Sequence, residues 1–315
     1  MELKEWTYEE YPEYAYEVPG AEWLDTTGDE QGVVYLKDVE YARVEDSVLH
    51  LQILVPSSRN RKYNPRSGKP DFRYPCVVYV QGSAWMPQYV YGNLPQLARL
   101  AERGYVTAIV EYRHSGIAGF PAQASDACNA IRFLRKHADE FGIDPDRIAV
   151  TGDSSGGHTA MWACLLDDDE GIANLYPGVS ASVSAIINFY GCVSVIPEDA
   201  FPSTVNHLKE DSPEGMVMGG VDLSRRPDLC RRLSVECNIR PDTPLPPVLI
   251  LHGTKDRTVN TKLSVMLYKH LIKCSKEAYL VLLRGADHGG PEFWTPEALD
   301  RIDGFLKKSF TAQSA

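Results

Sequence analysis

No extended run of basic residues occurs in this 315-residue chain, where 32 Lys plus Arg stand against 43 Asp plus Glu for a net charge of −11. A surface of that sign repels phosphate backbones and anionic lipid, which argues against nucleic acid or a membrane surface as partner. No apolar stretch approaches the roughly eighteen residues of a membrane span. The opening residues, "MELKEWTYEEYPEY", show neither a cationic n-region nor an apolar h-region, so no signal peptide is read there. The 7 cysteines (Cys76, Cys128, Cys164, Cys192, Cys230, Cys237, Cys274) are odd in number, scattered and without any Cys-x-x-Cys pair. They read as reduced thiols of a cytoplasmic protein, not as a disulfide frame or a zinc site. There is no internal repeat, and the only low-complexity patch is "DDDE" at 167–170.

What is present is apolar and periodic. With 43% hydrophobic residues the chain can bury a large core, as one large domain or two small ones. Residues 1–32 hold 10 acidic residues, one lysine and the tyrosines 8, 11, 14 and 16. That aromatic content suggests an arm packed on its own domain or on a partner subunit, which leaves room for a homo-oligomer. "VEYARV" and "VLHLQILVP" then read as an antiparallel pair at one sheet edge. After the solvated loop 59–70, strand-like and helix-like segments alternate. The strands are "CVVYVQG", "YVTAIVEYR", "RIAVTG", "SAIINFYG", "PPVLILHG" and "YLVLLRG"; the helices are "NLPQLARLAERG", "ASDACNAIRFLRKHADEFG" and 158–166. Continuous apolar runs between helices mark strands covered on both faces, so the expectation is an α/β fold, a mostly parallel twisted sheet of about eight strands with right-handed crossovers. Residues 193–245 break the rhythm, with prolines, charges and two helix-like pieces, "STVNHLKE" and "RPDLCRRL". A connection that long reads as a cap inserted over the sheet's C-terminal edge. The organisation expected is therefore an arm over 1–32 and an α/β domain over 33–315 carrying that cap.

The chemistry is concentrated in "IAVTGDSSGGHTAMW". Gly152-Asp153-Ser154-Ser155-Gly156, between a buried strand and a helix, has the form of a nucleophile elbow. Such a turn points Ser154 Oγ out of the sheet and leaves the Ser155 N–H at a helix N-terminus, where it can stabilise an oxyanion. A serine needs a base, and the base an orienting acid; in this architecture both follow the serine, each just past a strand end. "VLILHGTKDRTVN" supplies Asp256 and "YLVLLRGADHGGPEFW" supplies His288. Asp153 and Asp222 are weaker rivals for the acid, since a sharp elbow aims Asp153 away from the serine. His158 and His252 read as structural. The second oxyanion N–H is expected from "YVQGSAWMPQYVYGN", where Gly82 and Ser83 follow the strand. Trp85, Met86, Tyr89 and Tyr91 in that loop are either core packing or walls of a substrate pocket.

These segments resemble the α/β-hydrolase superfamily, and within it the hormone-sensitive-lipase-like esterases, most of all the bacterial feruloyl and acetyl esterase group. The resemblance spans about residues 45–310 and rests on "VVYVQGSAW", the stretch from "EYRHSGIAGF" to "TGDSSGGHTA", "PPVLILHGTKDRTV" and "GADHGGPEFW". It implies a catalytic Ser154, Asp256 and His288, oxyanion N–H groups from Ser83 and Ser155, and no cofactor or metal. One departure is plain: such families open the oxyanion loop with His-Gly-Gly, whereas this chain has Gln81-Gly82-Ser83, whose amide can imitate the histidine's bracing hydrogen bonds. The leading expectation is a serine carboxylesterase. Amide or formamide hydrolysis, as in arylformamidases, and peptide hydrolysis use the same three residues; a non-catalytic hydrolase-fold binding protein is the reading from another class. A substrate-facing rim of Trp85, Tyr89, Tyr91, Phe293 and Trp294, an insert without a long apolar helix, and a cytosolic setting together suggest a small acyl ester on a carbohydrate fragment.

Overall fold

The computed structural model describes residues 3–66, 69–166, 172–196 and 202–311; the "DDDE" patch lies outside them. Eight strands form a single sheet: β1 (Gly32–Val44), β2 (Ser47–Ser57), β3 (Tyr74–Val80), β4 (Val106–Val110), β5 (Ile143–Asp153), β6 (Ala185–Phe189), β7 (Val248–Gly253) and β8 (Ala278–Leu283). Their order is β1-β2-β4-β3-β5-β6-β7-β8. β1 pairs antiparallel with β2, and β2 with β4, while every pairing from β4 through β8 is parallel. The chain thus steps outward from β3 to β4, then crosses to β5 on the other side of β3. In a parallel sheet that reversal opens a crevice beyond the strands' C-terminal ends, where ligands bind.

Alternation along the strands feeds two cores. Val78 and Val80 of β3 face one, with Ile131 and Leu134 of α2 (Ala122–Lys136), Met161 of α4 (Ser155–Leu165), and Leu267 and Leu271 of α7 (Thr261–Lys273). Val77 and Tyr79 face the other, with Leu97 and Leu100 of α1 (Leu94–Ala101) and Leu299, Ile302 and Leu306 of α8 (Pro296–Thr311). This is the doubly covered α/β sandwich expected of apolar strands between amphipathic helices. β8 departs from that expectation: it is the far edge strand, and Tyr279 and Leu282 are 37% and 43% exposed. No described helix is long and apolar enough to cross a membrane.

Two local expectations change. The helix read over 124–142 is two, because the chain breaks at His137 (φ −100°) before the single turn α3 (Ala138–Phe141). "STVNHLKE" forms turns; the helix lies further on as α5 (Pro213–Val217), where Ser212 caps by accepting from the Gly215 N–H at 3.0 Å and Pro213 needs no N–H. "RPDLCRRL" does become a helix, α6 (Pro227–Leu233). The tyrosines of the N-terminal arm are exposed by 60–73%, and Tyr8 has the Arg59 guanidinium over its ring, 5.5 Å from the centroid.

Candidate active site

The elbow forms as its composition demands. Ser154 sits at φ 52°, ψ −124°, and its N–H donates to Phe189 O at 2.9 Å. A Cβ on Gly156 would run into the Val80 carbonyl, and one on Gly152 would lie 2.8 Å from the same oxygen. Only glycine lets β5 turn into α4 against the end of β3. α4 is then held at its outer face: His158 Nε2 and Trp162 Nε1 both donate to Leu233 O, at 2.9 and 3.0 Å. Burial pushes the His158 pKa down to about 4, so the ring is neutral.

Parallel β7 and β8 end at the same edge and deliver the other two groups. His288 Nε2 lies 2.9 Å from Ser154 Oγ, and its Nδ1 lies 2.7 Å from Asp256 Oδ2. Facing a carboxylate, Nδ1 must carry the hydrogen, which leaves the Nε2 lone pair toward the serine hydroxyl. Asp256 Oδ1 accepts from the N–H groups of Thr258 and Val259 at 2.9 and 2.8 Å. Burial works to raise the Asp256 pKa, but hydrogen bonds from His252, His288 and the Val259 N–H outweigh it and hold the carboxyl far below its usual range. Arg257, next in the chain to Asp256, donates through Nε to Asp287, next to His288, at 2.7 Å; the two loops are thereby tied.

His252, read from sequence as structural, in fact touches the acid. Its Nε2 is 3.0 Å from Asp256 Oδ2 and 2.9 Å from Val259 O, so that nitrogen donates; Nδ1 is 2.7 Å from Ser264 Oγ. Tyr190 was also missed: at φ 39° it stands its ring edge-on to His288, 4.8 Å between centroids. The only sequence signals were the histidine before the strand's closing glycine and the aromatic beside Gly191.

The oxyanion loop corrects the sequence reading. The Gly82 N–H donates to Asp153 Oδ1 at 2.7 Å, and Tyr79 OH donates to the same oxygen at 2.7 Å, so Gly82 is committed to bracing the loop. Asp153 Oδ1 thus faces β3 and the loop after it, while His288 pairs with Asp256. The N–H groups of Ser83 and Trp85 both donate to Ser155 Oγ, at 3.0 and 3.2 Å. Between them Ala84, at φ 56°, has an N–H for which no acceptor is found among the described residues. Gln81 braces the loop from its side chain, donating through Nε2 to Tyr89 O at 2.7 Å and Asn93 Oδ1 at 2.5 Å. The expected aromatic rim also shrinks. Trp85, Phe293 and Trp294 are 2%, 0% and 5% exposed and belong to the core, since Trp85 Nε1 finds Thr159 Oγ1 and Phe293 packs on Tyr190. Tyr89 stays open at 72%, edge-on to Tyr91, whose OH donates to Asp38.

Fold and site together are those of an α/β-hydrolase. The chain belongs to the BD-FAE family, which it matches over residues 63–271. It is 28% identical over 204 residues to the probable carboxylic ester hydrolase LipM of Mycobacterium tuberculosis, covering 64% of this chain and 46% of that protein. It spans about half the length of the curated relatives it matches. Among solved structures it superposes on a truncated carbohydrate esterase from gut microbiota with a TM-score of 0.75, at 24% identity over 90% of this chain and 99% of that one. It also superposes on Thermogutta terrifontis esterase 2 phosphonylated by sarin, with TM-score 0.66, 26% identity and coverage of 90% and 96%. The propionate-bound form of that esterase gives TM-score 0.64 and 27% identity, covering 89% of this chain and 94% of that one.

Proposed function

We propose that the protein is a serine carboxylesterase. The observation that carries this reading is the hydrogen-bonded chain Ser154–His288–Asp256, with 2.9 and 2.7 Å between successive groups. Ser154 Oγ attacks the ester carbonyl as His288 Nε2 takes its proton, and Asp256 holds the tautomer and the imidazolium that forms. The N–H groups of Ser155, at the start of α4, and of Ala84 receive the oxyanion. His288 then passes the proton to the leaving alcohol, and a water repeats the sequence to release the acid. LipM and the Thermogutta esterase, named for ester hydrolysis, support the same chemistry, and modification of the latter by an organophosphonate fits a serine nucleophile. Ser154→Ala lowers turnover of p-nitrophenyl acetate about 10⁴-fold or more. A fluorophosphonate probe, losing fluoride as Ser154 Oγ bonds to phosphorus, adds its phosphonyl mass to the Ser154 peptide of the wild type. Retention of more than a tenth of wild-type turnover in the Ala variant, or labelling elsewhere, overturns the assignment.

The substrate we assign is a small acyl ester, acetyl or feruloyl, on a carbohydrate fragment. Residues 202–247 hold two short α-helices, of 5 and 7 residues, and no long apolar helix to grip a fatty chain, in keeping with a cap over the site. Exposed Tyr89 offers a flat face for a sugar or phenolic ring. A short acid, propionate, occupies the Thermogutta relative. The measurement is kcat/KM for acetyl and feruloyl sugar esters against p-nitrophenyl octanoate, and a tenfold preference for octanoate ends this reading.

A further inference from the structure

Three side chains from separate stretches converge behind the acid loop: Cys192 after β6, His207 in the turns before α5, and Glu214 on α5. One ligand atom of each lies within 4.8 Å of the others. The Cys192 thiol donates to Glu214 Oε1 at 3.1 Å, and His207 Nδ1 is 2.7 Å from the same oxygen. Glu214 is only 2% exposed, and its Oε2 is buried without a hydrogen-bond partner. His207 Nε2 lies 2.9 Å from Thr258 O and 3.1 Å from Ser203 Oγ. Since a carbonyl only accepts, Nε2 carries a hydrogen. Nδ1 therefore faces a carboxylate oxygen across a gap that only a proton or a cation can fill.

We propose that Cys192 Sγ, His207 Nδ1 and the Glu214 carboxylate bind a divalent ion of the Zn²⁺ class, with water in the fourth position. Thiolate and imidazole together favour Zn²⁺ over Mg²⁺ or Ca²⁺. Three protein ligands plus water is a recognised tetrahedral zinc set. The His207 Nε2–H to Thr258 O bond is the kind of outer support that orients a ligating histidine. Zn–S near 2.3 Å and Zn–N/O near 2.0 Å place neighbouring donors roughly 3.3–3.6 Å apart, so His207 and Glu214, now 2.7 Å apart, separate by roughly 0.6 Å to admit the ion. A cavity of about 230 Å³, lined by Cys192 and His207 with Asn206 and Asn260, gives access.

The charges balance. Without metal, an imidazolium, a carboxylate and a thiol sum to zero. Binding expels the thiol proton and the Nδ1 proton to solvent, and thiolate, carboxylate, neutral imidazole and M²⁺ again sum to zero. The net charge of the cluster is unchanged, so the ion adds no uncompensated charge to the interior. The Cys192 thiol donates to Glu214 Oε1 and His207 Nδ1 lies at hydrogen-bond distance from the same oxygen, so each contact holds a proton that the ion displaces. A bound ion staples α5 to the end of β6 and, through Thr258 O, to the loop carrying Asp256. It sits outside the Ser154 site and does not depend on the esterase reading.

The test uses the full chain, stripped with a chelator, dialysed and titrated with Co²⁺ and with Zn²⁺. One equivalent of Co²⁺ is expected to give a thiolate-to-metal charge-transfer band that Zn²⁺ bleaches and Cys192→Ser lacks. Calorimetry in buffers of different ionisation enthalpy is expected to show about two protons released per ion, with tighter binding as pH rises. Zn²⁺ is expected to raise Tm in the wild type and not in Cys192→Ser. Glu214→Gln, close in shape, is expected to weaken binding tenfold or more. Failure to retain stoichiometric Zn²⁺ at micromolar concentration, a band that survives in Cys192→Ser, or unchanged affinity in Glu214→Gln overturns the site.

Discussion

Ser154 pays for its place with an unfavourable backbone. A serine at φ 52° costs about 1–3 kcal/mol, sustained here by the Phe189 carbonyl and by the packing of Gly152 and Gly156. Glycine relieves that cost and alanine does not. Ser154→Gly should therefore unfold at higher denaturant than Ser154→Ala, by about 1 kcal/mol, with both inactive; equal midpoints would show that the turn is unstrained. At this scale the sequence was legible wherever the residue type was bound to one backbone geometry or one chain order, as for Ser154, Asp256 and His288. It was illegible where a side chain's role depends on what folds against it. His252 reads as a strand-end residue until Asp256 is seen beside it. Cys192, His207 and Glu214 follow no ligand spacing, because a strand end, a turn and a helix bring them together.

The loop after β3 shows the same division among elements. Its sequence announces close approach but not which N–H groups are spent internally, and only the fold shows Gly82 bound to Asp153 and Ser83 to Ser155. Asp153 holds two donors, Tyr79 OH and the Gly82 N–H, in a part-buried setting. Asp153→Ala strands both, and we expect it to cost about 2–3 kcal/mol of stability and about 10–100-fold in kcat as the loop loosens. Asp153→Asn keeps the accepting oxygen and is expected to stay within threefold of wild type, whereas Asp256→Asn loses about 10⁴-fold by favouring the wrong tautomer. If the two Asn variants exchanged these outcomes, the acid of the site would be Asp153. Helix ends were the other weak point: "STVNHLKE" has helical composition at its end, but Ser212-Pro213 supplies the start signal that wins. The aromatic rim failed because an aromatic residue in a loop can as readily fill the core, as Trp85 does.

For the molecule as a whole, strand alternation and all-apolar runs made the sheet and its parallel core readable, while the exposure of β8 follows from its edge position, which a single strand's sequence does not disclose. The whole fold also carries a pH signature. His158 has a folded pKa near 4 against 6.5 unfolded. Its contribution is complete above pH 6.5 and declines as pH falls toward 4, by up to about 3 kcal/mol. Asp256, depressed still further, weakens the fold only below about pH 4, the ordinary carboxylate range. His207, raised in the fold, acts in the opposite sense and loses its contribution as pH rises. Thermal unfolding followed from pH 7 to 4 should show a falling Tm that is flatter in His158→Asn; parallel profiles would exclude His158 as the source. The paired bonds from His158 and Trp162 to the Leu233 carbonyl have a consequence for protein engineering and for divergence. One oxygen on the 190–247 segment serves as a datum for the helix that begins beside Ser154. Chimaeras that exchange this segment between relatives must cut so as to keep that oxygen in place, or they alter turnover along with the specificity they were built to change.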